Sequence, residues 1–269
     1  MATHRELFSE GKLKEAIAAA TEAVKKAPGD RDARGWLADY LCFAGELERA
    51  DKQLEAMAPT DPQSVVGFTQ HRQLLRAETA RQDFFNAGRA PDLLGPPSDR
   101  TKKLIEASIL IREKKHQEAG KLIEEANATL PLLKGTIDGK PFAGIRDMDD
   151  LLAGVFEVLA TNGKYFWVPM EDVERIEFKF TERSRSSREL LWRSAKITTK
   201  SGVETDVAMP ALYAGSHQAE EGYATGRMTD FAPAEEGAAY RGLGQRLLAV
   251  GKDNEETPFL EIKEIVFTG

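Results

Sequence analysis

The sequence predicts an α+β protein: tetratricopeptide-like α-helical repeats over residues 1–133, then an α+β domain with a small antiparallel sheet over 134–269. Three observations predict it. Small residues and prolines in the first half recur 34 positions apart. After Pro131 the apolar pattern gives way to strands with a two-residue period. The chain has 269 residues, 41% hydrophobic and 30% charged, enough for two modest domains and too apolar for general disorder.

The repeat comes first in the chain. Gly11, Leu13, Ala16 and Pro28 return as Gly45, Leu47, Ala50 and Pro62, each 34 residues later. A third copy is marked by Lys115-His116-Gln117-Glu118-Ala119 and Pro131. Ala16, Ala50 and Ala119 let two helices approach closely, and Gly11 and Gly45 sit where the chain turns between them. The prolines end each second helix, because the residue before Pro resists the helical region. The pattern predicts helices near 2–10, 12–26, 31–44, 47–57, 63–86, 99–113 and 116–128. The 63–86 stretch lacks the small-residue marks and reads as a degenerate repeat. A proline-rich loop, Ala90 to Pro97, follows it, and Ser98 or Asp99 caps the next helix. Paired amphipathic helices cannot bury their faces alone, so they stack and form a concave surface.

In the second half, Asp147 reads as the N-cap of a helix over 148–161, apolar at Leu151, Leu152, Val155, Phe156, Val158 and Leu159 and ended by Asn162-Gly163. The aromatic run Lys164 to Pro169 reads as a strand. Ile176, Phe178 and Phe180 alternate with Glu177 and Lys179 as a half-buried strand does. Lys196–Lys200 and Val203–Met209 flank Ser201-Gly202, a hairpin signal. Gln245–Val250 and Phe259–Phe267 supply two more strands.

Composition removes several functions. The net charge is −7, with 20 basic and 21 acidic residues in 1–133 but 17 and 23 in 134–269, which argues against a broad nucleic-acid footprint. No apolar run approaches the roughly 18–20 residues that span a bilayer, and no export signal opens the chain, so the expectation is a cytoplasmic protein without a membrane segment. The single cysteine, Cys42, excludes an internal disulfide and a cysteine-based zinc site, and reads as a small buried residue. None of His4, His71, His116 and His217 pairs with another at ligand spacing, so no metal is expected. Gly242-Leu243-Gly244 lacks the strand–turn–helix unit and the third glycine of a dinucleotide loop, so no cofactor is expected.

Two alternatives keep a foothold. An enzyme could build an atypical site from His217 with Asp147, Asp149 and Asp150, although acidic residues in a helix's first turn are explained by its dipole. A nucleic-acid module could use residues 183–200, where Arg183, Arg185, Arg188, Arg193, Lys196 and Lys200 surround Trp192. The competing account of that stretch is a solvated strand edge or a contact with an acidic partner face.

Taken in order, Arg146-Asp147-Met148-Asp149-Asp150-Leu151, Tyr165-Phe166-Trp167-Val168-Pro169 and Leu190-Leu191-Trp192-Arg193 form a series. Pro210-Ala211-Leu212-Tyr213-Ala214-Gly215-Ser216, Gly226-Arg227-Met228-Thr229-Asp230-Phe231 and Arg241-Gly242-Leu243-Gly244-Gln245-Arg246 complete it. The series resembles the ImpE family, also called TagJ or SciE-type virulence proteins, with Phe231 where the family pattern has Trp. The resemblance covers essentially the whole chain. It implies a non-enzymatic accessory protein of the bacterial type VI secretion system that binds the N-terminal helix of the small contractile-sheath subunit. It also implies a modulating role in sheath assembly or recycling, with an indirect link to the sheath-disassembling ATPase.

A partner helix would present apolar anchors at i, i+3, i+4 and i+7 to a groove. By analogy with tetratricopeptide stacks, the first helix of the second repeat turns Asp39, Cys42 and Phe43 toward that groove, and Gly35 permits close approach. Half-buried core is the competing assignment for Phe43.

Overall fold

The structure is a computed structural model that describes residues 2–58, 62–179 and 187–268. Seven helices form its first half: α1 (His4–Ser9), α2 (Leu13–Lys26), α3 (Arg31–Phe43), α4 (Leu47–Glu55), α5 (Pro62–Ala87), α6 (Asp99–Arg112) and α7 (His116–Asn127). Each lies where the apolar spacing predicts it. Thr3, Asp30 and Ser98 cap α1, α3 and α6 by accepting a backbone N–H three positions on, which settles the start of α6 on Ser98.

The α1–α2, α3–α4 and α6–α7 turns are copies of one another. Gly11 and Gly45 take φ of +82° and +72°, and Lys114 takes +62° at the same place in the third pair. In each, the following N–H reaches back to a leucine carbonyl: Lys12 to Leu7 at 3.0 Å, Glu46 to Leu41 at 2.8 Å and Lys115 to Leu110 at 2.9 Å. This left-handed closure satisfies carbonyls that the helix end would otherwise orphan. The degenerate middle repeat is one long helix, α5.

Thirteen described strands follow: β1 (Lys134–Ile137), β2 (Lys140–Ala143), β3 (Ile145–Asp147), β4 (Val155–Ala160), β5 (Tyr165–Pro169), β6 (Val173–Phe178), β7 (Trp192–Thr199), β8 (Glu204–Pro210), β9 (Thr229–Pro233), β10 (Tyr240–Gly244), β11 (Leu247–Val250), β12 (Glu255–Pro258) and β13 (Glu264–Thr268). A short helix, α8 (Glu221–Ala224), precedes β9. Eight strands make one antiparallel sheet in the order β2-β1-β13-β6-β7-β8-β4-β5. β12, β11 and β3 make a second sheet, and β9 and β10 a separate ribbon.

The helix expected over 148–161 is not there. Asp150–Leu152 is a single 3₁₀ turn and Val155–Ala160 is strand β4, joined to β5 through Asn162-Gly163. The cause is burial on both sides: Val155 and Leu159 face the helices, while Phe156 and Val158 face the second apolar cluster. A strand covered on both faces reads as a continuous apolar run, which periodicity cannot tell from a buried helix.

The large sheet therefore has two differently covered faces. One packs on the helices, through Trp167, Trp192 and Ala208 against residues such as Leu75, Ala80 and Phe84 of α5. The other holds Ile176, Ala195, Ile197 and Met209 under Leu248, Phe259 and Ile262. The β5 edge is closed by the proline-rich connection, where Asp92 gives its N–H to Tyr165 O at 2.8 Å and takes the Trp167 N–H at 3.1 Å. No helix among the described residues is long and apolar enough to cross a membrane.

Candidate partner-binding site

The four residues expected at the groove share one face of α3, at spacings of four, three and one. The structure separates them. Gly35 lies at the open end: an added Cβ there would meet nothing within 4 Å. Asp39, Cys42 and Phe43 are buried. Asp39 accepts from Ser187 Oγ at 3.1 Å and Arg188 Nε at 3.3 Å, and His71 Nε2 stands 3.7 Å from it. Burial raises the Asp39 carboxyl, against the pull of Arg188. Burial, with Arg188 nearby, lowers His71 to about 3, so its ring is neutral. Burial, with Asp39 beside it, also pushes the Cys42 thiol well up, the opposite of an activated nucleophile. Phe43 packs edge-to-face on Phe8 at 5.0 Å.

Cys42 and Phe43 line a narrow cleft with Glu78 and Arg81 of α5 and the segment Leu212–His217. It holds about 30 Å³, roughly the space of one water molecule. The concave face of the first repeats is thus occupied by the chain's own second half.

That seam is fastened by charge. Arg81 donates to Glu157 of β4 at 2.8 and 3.0 Å, to Glu78 at 3.2 Å and to the Leu212 carbonyl at 2.9 Å. Arg246 donates to Glu157 as well, and to Asp147 at 3.0 Å. Trp192 Nε1 donates to Glu78, Tyr165 OH to Glu157, Trp167 Nε1 to Tyr165 OH and Tyr213 OH to Asp147. Burial opposes ionisation of Glu157, but Arg81 and Arg246 outweigh it and hold the carboxyl at about 2. With three carboxylates to two guanidinium groups, the excess negative charge is felt elsewhere. Burial pushes Asp147 up to about 7 against the pull of Arg246, and raises Glu78 against Arg81.

The residues proposed for chemistry are not brought together. Asp147 and Asp149 are buried with their own partners, Asp149 taking Arg241 Nε and the Gly242 N–H, while Asp150 takes the Tyr240 N–H. His217 lines the separate cleft, over Gly45, with burial and Arg81 lowering its pKa. Among the described residues no group of three or more His, Cys, Asp or Glu could hold a metal ion.

In the basic stretch, Arg183 and Arg185 lie outside the described residues. Arg188 pairs with Asp39 and Lys196 with Glu204. Arg193 is buried on the Phe259 and Ile262 carbonyls, 3.8 Å over the Phe178 ring. Trp192 is buried too, with no face free to stack a base.

Sequence reasoning missed Glu157, Arg81 and Arg246. The signal was present: a glutamate inside the apolar run Leu151–Ala160 must either be exposed or find a buried cation.

A larger opening lies at the far end of the helical layer. The groove between α7 and the β9–β10 hairpin holds about 790 Å³. Its walls are Ile123, Asn127 and Ala128 on one side and Pro233, Ala239 and Tyr240 on the other.

Comparison with known proteins gives the following. The family described as ImpE protein matches residues 139–266, and the family described as tetratricopeptide repeat matches residues 7–67. The type VI secretion system accessory component TagJ of Pseudomonas aeruginosa is 29% identical over 263 residues, covering 97% of this chain and 90% of that protein. The crystal structure of protein VPA1032 from Vibrio parahaemolyticus superposes with a TM-score of 0.90 at 27% identity, over 99% of this chain and 97% of that one.

Proposed function

We propose that the chain, whose residues 139–266 match the ImpE family, is a non-enzymatic accessory component of a bacterial type VI secretion system. It acts in the cytoplasm as an adaptor that binds the N-terminal helix of the small contractile-sheath subunit and modulates sheath assembly or recycling. The observation that carries this reading is the match to an accessory component of that system along nearly the whole of both chains. The chemistry of the fold supports it. Glu78 and Arg81 of the helices and Glu157 and Arg246 of the second half are spent on joining the two halves.

The test is calorimetry of the full chain with a synthetic peptide of the sheath subunit's N-terminal helix. Binding with a negative heat-capacity change is expected, since an apolar helix face leaves water. No heat at roughly tens of micromolar peptide overturns the reading.

A further inference from the structure

One guanidinium of the second half is only partly used. Arg241 of β10 gives its Nε–H to the two oxygens of buried Asp149 at 3.0 and 2.9 Å, and its guanidinium lies 5.6 Å from the centre of the Phe85 ring. Neither of its terminal nitrogens has a hydrogen-bond partner among the described residues. The side chain is 26% exposed, so solvent reaches a group whose position is already held. The β9–β10 ribbon decides where that group points. Register pairs Arg241 with Ala232, Gly242 with Phe231 and Leu243 with Asp230. Phe231 packs edge-to-face on Tyr213 at 5.6 Å, and a Cβ on Gly242 would strike the same ring. Side chains alternate between the two faces, so Arg241, Ala232, Leu243 and Asp230 share the other one. They wall a cleft of about 360 Å³, which Phe85 of α5 and Ile111 of α6 also line.

We propose that this cleft binds a small monocarboxylate with an apolar body, its carboxylate taken by the terminal nitrogens of Arg241 and its body laid along Phe85, Ile111 and Leu243. The planar fork of a guanidinium matches a carboxylate through two parallel N–H···O bonds. Asp149 and Phe85 fix Arg241 beforehand, so little side-chain freedom is lost when the ligand arrives. The charge count selects a monoanion over a phosphate. Asp149 and Asp230 already place two negative charges near this guanidinium, and a dianion would be repelled by both. Away from Arg241 the walls are apolar: Phe85, Ile111 and Leu243 are half-buried and retain surface for a ligand to cover. A cavity of roughly 150 Å³ accepts benzene, so this cleft has room for a ring and a short acid arm. The site is separate from the adaptor reading and stands or falls without it.

The experiment titrates the full chain with 3-phenylpropionate and follows the backbone amides of Ala214 and Leu243, which line the cleft, by nuclear magnetic resonance. Saturable shifts at roughly millimolar probe are expected, as befits a ligand of this size. The neutral 3-phenylpropanamide is expected to bind roughly tenfold or more weakly, because it cannot form the charged pair. Ala232→Glu supplies the rival. Ala232 is exposed and directly opposite Arg241, so the new carboxylate lies about 5 Å away at Cβ and takes the free N–H groups itself. It is expected to weaken 3-phenylpropionate roughly tenfold or more, whereas Ala232→Gln, of the same shape without the charge, weakens it less than about threefold. Denaturant midpoints matching the parent certify both variants as folded. No shift at about 10 mM probe overturns the proposal. So does equal binding of the amide, which would leave Arg241 without a role, and so does an Ala232→Glu protein that binds as well as the parent.

Discussion

Arg81 of α5 and Glu157 of β4, 76 positions apart, are joined by two hydrogen bonds of 2.8 and 3.0 Å with both side chains buried. Glu157 is shared with Arg246, so one carboxylate bridges two guanidinium groups at the centre of the seam. Removing it takes from each buried guanidinium the carboxylate they share, leaving Arg81 with Glu78 and Arg246 with Asp147. Glu157→Ala is expected to cost about 3–5 kcal/mol, measured as a shift of the denaturant midpoint. A loss below about 1 kcal/mol would mean that water or Asp147 and Glu78 take over the pairing.

The same seam predicts that the two halves unfold together. The cluster that holds Ala16 and Leu41 also holds Leu152, Trp167 and Trp192, so apolar contact runs unbroken from repeats to sheet. Truncation after residue 133 would bare Leu75, Phe84, Glu78 and Arg81 at once. Residues 1–133 alone are expected to lack a cooperative thermal transition, whereas the full chain shows one transition, with tryptophan fluorescence and far-ultraviolet dichroism coinciding. Two separated transitions in the full chain would contradict this.

The three equivalent turns carry opposite predictions. Gly45 at φ +72° has no room for a Cβ, because the His217 ring lies against it. Gly45→Ala is expected to cost about 1–2 kcal/mol from backbone strain alone, and more from moving His217. Lys114 at +62° already bears that strain. Lys114→Gly is expected to stabilise by about 0.5–1 kcal/mol, the relief being partly offset by the greater freedom of glycine in the unfolded chain. Denaturant midpoints of both variants decide it.

The helices were legible because each buries one stripe and keeps a polar face, and because the Gly11 and Gly45 turns announce themselves. β4 was not, since Val155, Phe156, Val158 and Leu159 are all buried. The short strands were hidden for another reason: β1, β10 and β12 are Lys-Gly-Thr-Ile, Tyr-Arg-Gly-Leu-Gly and Glu-Glu-Thr-Pro, poor in β-formers and held by neighbours rather than by propensity. At the candidate site, the common face of Asp39, Cys42 and Phe43 follows from helical spacing. Its covering by Ser187, Arg188 and Leu212–His217 does not, because those contacts link residues well over a hundred positions apart.

His71 sets a pH dependence with a definite sign. Burial, with Arg188 nearby, lowers its folded pKa to about 3, against an ordinary value of 6.5. Below 6.5 the unfolded chain takes up a proton that the folded chain refuses, so this stability is complete above 6.5 and drains away as pH falls toward 3. The slope is about 1.4 kcal/mol per pH unit once the unfolded imidazole is charged. Asp147, pushed up to about 7, works the other way between about 4 and 7, and Glu157, held at about 2, adds to the loss below its ordinary 4.5. Both persist in His71→Phe, which keeps a ring beside Trp192, 6.5 Å away in the parent. The difference between parent and variant therefore isolates the imidazole. Between pH 7 and pH 5 the parent is expected to lose about 2 kcal/mol relative to His71→Phe, read from urea midpoints at the two pH values. Parallel losses in the two proteins would show that His71 is protonated in the folded state and paired with Asp39.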